Sequence, residues 1–178
     1  MKILLYSWGS TIENELNKYL KLAGCDVIEF EKQMTDYHAD SSFALECMQI
    51  IEREQIEAVI SFDYFPLMSM ICTTRQIPYI SWIYDCPQLT VQSETIKNPC
   101  NYIFCFDSLY TERIRANGAI NCFHLPLCAD PEVNPSLYQE KYIKTGDDSF
   151  RYDISFVGNL YNDSNNRLRN AELSDYTR

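Results

Sequence analysis

Tyr79-Ile80-Ser81-Trp82-Ile83-Tyr84-Asp85-Cys86-Pro87 is a nearly continuous apolar run that stops at a carboxylate and a turn. A strand that is apolar on both sides is covered on both faces, which is the habit of parallel sheets packed between helices. The pattern repeats along the chain. Residues 2–7 run into Trp8-Gly9-Ser10, residues 58–62 into Asp63-Tyr64, and residues 102–106 into Asp107-Ser108. Residues 26–30 and 121–125 read as two further strands. Helical stretches lie between them, and strand starts recur with the rhythm of βαβ units. The fold class expected is α/β, a Rossmann-like doubly wound parallel sheet. In such sheets ligands bind in the crevice outside the carboxyl ends of the strands. The turn, aromatic and acidic residues of this chain gather at those ends.

The intervening segments carry their own signals. Ser10-Thr11-Ile12-Glu13 fits a capping box, with Ser10 as N-cap and Glu13 reaching back. Ile12, Leu16, Leu20 and Ala23 follow at helical spacing, and Gly24 is a natural stop. Residues 31–42 are polar and read as a long loop. Ala44, Cys47, Met48 and Ile51 share one helical face in residues 43–55. Pro66 suits a first helical turn. Ser108 is expected to cap a helix that Gly118 ends.

Composition excludes several function classes. The chain of 178 residues has 15 Lys and Arg against 25 Asp and Glu, a formal charge of −10. Nucleic acid and anionic membrane surfaces need clustered cations, so neither is an expected partner. No apolar run is long enough for a membrane span. Met1-Lys2-Ile3-Leu4-Leu5-Tyr6 reads as a first strand, not a signal peptide, so a cytoplasmic location is expected. The eight cysteines show no C-x-x-C spacing and sit in or beside apolar runs. They read as reduced, mostly buried thiols, with no metal site among them. No cofactor is expected.

Domain boundaries follow the composition. Residues 1–131 form the Rossmann-like domain and the polar residues 132–151 a linker. Tyr152-Asp153-Ile154-Ser155-Phe156-Val157-Gly158 looks like another buried strand, so residues 152–158 open a second α/β unit that reaches residue 178. With so little of that unit present, the strand at 152–158 is expected to dock on the first domain or to pair with a second copy as a homodimer.

Several segments occur in a recognisable order: Trp82-Ile83-Tyr84-Asp85-Cys86-Pro87, Phe106-Asp107-Ser108-Leu109-Tyr110, Gly118-Ala119-Ile120-Asn121, Leu125-Pro126-Leu127-Cys128-Ala129-Asp130-Pro131 and Asp153-Ile154-Ser155-Phe156-Val157-Gly158-Asn159-Leu160-Tyr161. Together they resemble the amino-terminal half of the CgeB-like (spore maturation protein type) glycosyltransferases of bacteria. The resemblance implies a GT-B architecture, two Rossmann-like domains facing across a cleft. The first domain would bind an acceptor and the second a nucleotide-sugar donor. The chain would then lack nearly all of the donor half and be inactive alone.

The candidate site residues follow from chemistry at strand ends. Asp85 can accept the proton of an acceptor hydroxyl, or it can hold the turn before Cys86-Pro87. His38, in the long loop, is an alternative base or a solvated loop residue. Gly9 and Ser10 can bring helix-start amides to a diphosphate, or simply form a turn and a cap. There is no G-x-G-x-x-G fingerprint. Asp63 and Asp107 stand at similar strand ends, Asp107 with the option of starting a helix. Trp8, Tyr64 and Tyr84 offer faces for stacking on a sugar or lipid-like acceptor, whereas Trp82 is expected to pack. His124 is expected as a hydrogen-bonded core residue. Two other classes remain open: a non-catalytic sugar- or nucleotide-binding or spore-surface assembly module, and a small flavodoxin-like protein binding a nucleotide.

Overall fold

The computed structural model describes residues 1–128. Six strands alternate with helices: β1 (Lys2–Tyr6), α1 (Glu13–Leu22), β2 (Asp26–Phe30), α2 (Ser41–Glu54), β3 (Ala58–Phe62), α3 (Pro66–Arg75), β4 (Tyr79–Ile83), β5 (Asn101–Cys105), α4 (Ser108–Ala116) and β6 (Cys122–His124). All pairings are parallel, in the order β2-β1-β3-β4-β5-β6. The Rossmann-like α/β fold expected from the apolar runs is therefore present. The strand order is the flavodoxin-type one, whose direction of travel reverses between β1 and β3. That reversal opens a crevice at the carboxyl ends of these two strands.

Burial explains the strand signals. Ile3, Leu4, Leu5 and Tyr6 of β1 and all of β3 are buried, as central strands should be. β2 lies at an edge and leaves Asp26 and Glu29 exposed. One face of the sheet packs Leu4, Tyr6, Val59, Tyr79, Ile83 and Ile103 against residues of α2, α3 and α4. The other packs Ile3, Leu5 and Ile60 against Leu16 and Leu20 of α1. Among the described residues α1 alone covers that second face. Tyr102 and Phe123 consequently stay 39% and 44% exposed there, although Phe104 and Phe123 stack with ring centroids 5.5 Å apart.

Three local expectations need correction. α1 begins at Glu13 with Ile12 in the N-cap position, so Ser10 is not its cap. Glu13 does reach back, but past Ser10, to the amides of Trp8 and Gly9. α4 is capped by Asp107, whose Oδ1 accepts from Tyr110 N at 2.7 Å, and Ser108 is its first residue. α2 starts at Ser41, where the Asp40 carboxylate accepts from Phe43 N at 2.9 Å. The β4–β5 crossover is made by two short 3-10 turns, Leu89–Gln92 and Glu94–Lys97.

No helix among the described residues is long and apolar enough to cross a membrane. All eight cysteines are free, and Cys47, Cys72, Cys105 and Cys122 are buried. Burial pushes the Cys47 thiol up to about 12. The expected linker, the strand at 152–158 and its pairing lie outside the described residues.

Candidate functional site

The crevice floor is built by the turn after β3. Asp63 adopts a left-handed conformation with φ 59° and is only 4% exposed. Its carbonyl accepts from Ser61 Oγ at 2.9 Å, Ser81 Oγ at 3.0 Å and the Tyr79 hydroxyl at 3.4 Å. The same Tyr79 hydroxyl accepts from Phe65 N at 3.1 Å. Three buried hydroxyls thus fix this turn from below. Asp63 then fixes the next turn from the side: its Oδ1 accepts from Tyr84 N and Asp85 N, both at 3.1 Å. Burial raises the Asp63 carboxyl above the ordinary carboxylate value; the two amides pull it partly back, and the Asp85 charge adds to the rise. Asp63 is a structural tie between β3 and β4, not a group held out to a ligand.

Asp85 is the product of that tie. Its backbone is anchored by Asp63 while its side chain is exposed at the carboxyl end of β4, followed by a cis Cys86-Pro87 bond. Among the described residues no hydrogen bond or ion pair engages its carboxylate. A pinned backbone with an open carboxylate is what a proton acceptor at a crevice rim requires. Tyr84 is half-buried, its ring edge-on to Phe62 at 6.2 Å.

The first βα loop is a different matter. Glu13 is buried, and its carboxylate accepts from Trp8 N at 2.9 Å and Gly9 N at 3.2 Å. Gly9 takes φ 105°, which a side chain would resist, and this conformation lets both amides converge on one carboxylate. The position where a diphosphate would sit is therefore already held by a fixed negative group. The expectation that Gly9 presents its amide to a diphosphate is overturned for that reason.

Other expected contacts also move. Tyr64 is fully buried, with its hydroxyl 2.9 Å from Thr95 Oγ1 and accepting from Asn101 Nδ2 at 3.3 Å, so it belongs to the core. Asp107 spends its carboxylate on the α4 cap, which is the helix-start role its place beside Ser108 suggested, and so is not offered to a substrate. Trp8 is half-buried against Phe65, and its indole donates to Phe62 O at 3.0 Å, which staples the β1 turn to β3. Trp82, expected to pack, does so against Phe62 with ring centroids 5.6 Å apart, and with Ile12, Leu16, Tyr19 and Phe62 it lines an apolar cavity of about 400 Å³. Its Nε1 is buried without a partner among the described residues. His38 is exposed in a turn where Asp36 Oδ1 accepts its backbone N–H at 2.7 Å. His124 is hydrogen-bonded to Phe106 O at 3.0 Å but exposed on the edge strand, not in the core.

One feature of the rim lay in plain sequence and was missed. Glu29, within β2, and Glu31, just after it, line a second cavity of about 270 Å³ with Ser7, Gly9, Glu13, Asn14 and Gln33. Two acidic residues at the end of an edge strand were its signal. No group of three or more His, Cys, Asp or Glu among the described residues is disposed to hold a metal ion. Comparison with protein-family models and with curated proteins returns no match.

Proposed function

We propose that this chain is the acceptor-side domain of a cytoplasmic GT-B glycosyltransferase of the CgeB-like, spore maturation protein type. Asp85 is then the base that takes the proton of the acceptor hydroxyl as it attacks the sugar of a nucleotide donor. The observation that carries this reading is the open Asp85 carboxylate on a backbone pinned by Asp63, at the carboxyl edge of the sheet. The ordered family-like segments from Trp82 to Tyr161 supply the reaction class. On this reading the donor-binding unit lies beyond residue 151, and the 1–131 domain contributes no diphosphate site. The filled amide position under Glu13 agrees with that division of labour.

The flavodoxin-type strand order favours a second reading, a nucleotide-binding protein of that class. Glu13 weighs against it, because such proteins use the loop after β1 for phosphate, and here a carboxylate holds the amides. The test is to incubate the purified 1–178 chain with a panel of labelled nucleotide sugars and to analyse any ligand it retains. No transfer and no retained nucleotide are expected. Sugar transfer by this chain overturns the acceptor-side assignment, and a retained flavin or nucleotide establishes the second reading.

A further inference from the structure

A groove between α4 and the β4–β5 crossover has no task in the reading above. Its volume is about 360 Å³; Pro87, Gln88 and Gln92 line one side, and Tyr110, Arg113 and Asn117 the other. Residues 110, 113 and 117 stand at helical spacing, so one face of α4 forms that wall. Pro87 is two residues past Asp85, so the mouth of the groove lies less than about 8 Å along the backbone from the open carboxylate.

Two independent features mark the groove as a site. The first is a fixed wall. Gln88 N donates to the Tyr110 hydroxyl at 2.9 Å, and that hydroxyl donates to Gln88 O at 2.7 Å. The Gln88 side-chain amide accepts from Tyr64 N at 3.0 Å and donates to Tyr64 O at 3.4 Å. The crossover is thus tied to α4 and to the turn after β3, and the groove is formed in advance of any occupant.

The second feature is the charge of Arg113. No hydrogen bond or ion pair among the described residues engages its guanidinium. Every other lysine and arginine among them meets a carboxylate or, for Lys18, an aromatic ring. No Asp or Glu lines the groove. The acids nearby in sequence are committed elsewhere: Glu112 to Arg115, Asp107 to the α4 cap and Glu94 to Lys97. In a chain of formal charge −10, an unopposed cation lining a groove calls for an anion.

The lining defines that anion further. A guanidinium fork matches a carboxylate through two parallel hydrogen bonds. One cation balances a monoanion, whereas a phosphate dianion would bring uncompensated charge into an acidic domain. The side-chain amides of Gln92 and Asn117 are unengaged among the described residues and suit hydroxyls. The volume suits one ring, at the small end of ligand sites.

We propose that this groove binds a carboxylate carried on a hydroxylated ring, the chemistry of a sugar acid, and so anchors the acceptor beside Asp85. The acceptor role rests on the glycosyl-transfer reading, but the binding site does not. It is read by binding, and failure of Asp85 as a base would remove the role and leave the binding unchanged.

The experiment is titration of the 1–178 chain with glucuronate, glucuronamide and glucose at neutral pH, followed through the backbone amide resonances. Glucuronate should bind and move the amides of Gln88, Gln92, Arg113 and Asn117. Glucuronamide, the same shape without the charge, and glucose should bind at least about tenfold more weakly, the equivalent of one charge-assisted pair. Arg113 is exposed and its side chain has no partner to lose, so Arg113→Gln should keep the parent's Tm and weaken glucuronate by a similar factor. Absence of glucuronate binding overturns the proposal. So does equal affinity for glucuronamide, parent-like affinity in Arg113→Gln, or shifts confined to residues away from this groove.

Discussion

Removing the Asp63 carboxylate should loosen the crevice and the fold together. Asp63→Ala deletes the acceptor for Tyr84 N and Asp85 N, both held at 3.1 Å by the same Oδ1. Each net hydrogen bond is worth roughly 1–1.5 kcal/mol in such a setting. Alanine at φ 59° adds about 1 kcal/mol, since only glycine and short polar side chains visit that region readily. Against this, the variant no longer buries a carboxyl whose charged form is disfavoured by desolvation, which offsets part of that loss. The net expectation is a loss of about 2–3 kcal/mol, or a Tm lowered by about 5–10 °C for a chain of this size.

Asp63→Asn is the matched control. Its Oδ1 can still accept both amides and asparagine tolerates φ 59°, so its Tm should stay within about 3 °C of the parent. The sign of its pH dependence is fixed by the raised Asp63 value. The folded parent holds its proton to higher pH than the unfolded chain, so the parent loses stability as pH rises from about 4 through the raised folded value. The asparagine variant has no such loss, and its Tm should gain on the parent across that window. Thermal melts of the three proteins over that pH range read both effects. An Asp63→Ala variant that melts with the parent, or an asparagine variant that falls as far as alanine, refutes the role of Asp63 as the tie between β3 and β4.

Three further outcomes follow from other parts of the domain. Asp40 is held down to about 2 by Phe43 N, Thr35 N and the Thr35 hydroxyl, so its stabilisation is complete above about pH 4 and is lost as pH falls toward 2; the Tm deficit of Asp40→Ala should close over that interval. Gln55 ends α2 at φ 54°, where glycine is at ease, so Gln55→Gly should raise stability by about 0.5–1 kcal/mol in urea unfolding. Asn101 is buried and joins Ser69, Thr95 and Tyr64, so Asn101→Leu should cost about 2–4 kcal/mol in the same assay by stranding those groups.

The strands were legible because burial on both faces writes itself as a nearly continuous apolar run, as in Ala58-Val59-Ile60-Ser61-Phe62. Their order was not, since a crossover of the same length can carry the chain to either side of β1. The half-burial of Trp8 and the open cavity beside Trp82 have a similar cause. Alternation says that neighbouring residues face opposite ways, but not that α1 alone covers the Trp82 side. Glu13 was read correctly as a residue that reaches back, yet only the fold shows that it stops at Trp8 and Gly9 and so occupies the amide pair. Asp85 was legible as a strand-end carboxylate; the Asp63 bond that pins it depends on a left-handed turn no local pattern announces.

The central claim is that the Asp85 carboxylate performs acid–base chemistry at the carboxyl edge of the sheet. The direct measurement is the rate of sugar transfer from a nucleotide donor, made with the longest polypeptide that carries residues 1–178, comparing the parent with Asp85→Asn and Asp107→Asn. Asp85→Asn should lower the rate about 10²–10⁴-fold with an unchanged Tm. Asp107→Asn, which can still cap α4, should leave the rate within about threefold of the parent. A folded Asp85→Asn protein that transfers sugar at the parent's rate would contradict the claim.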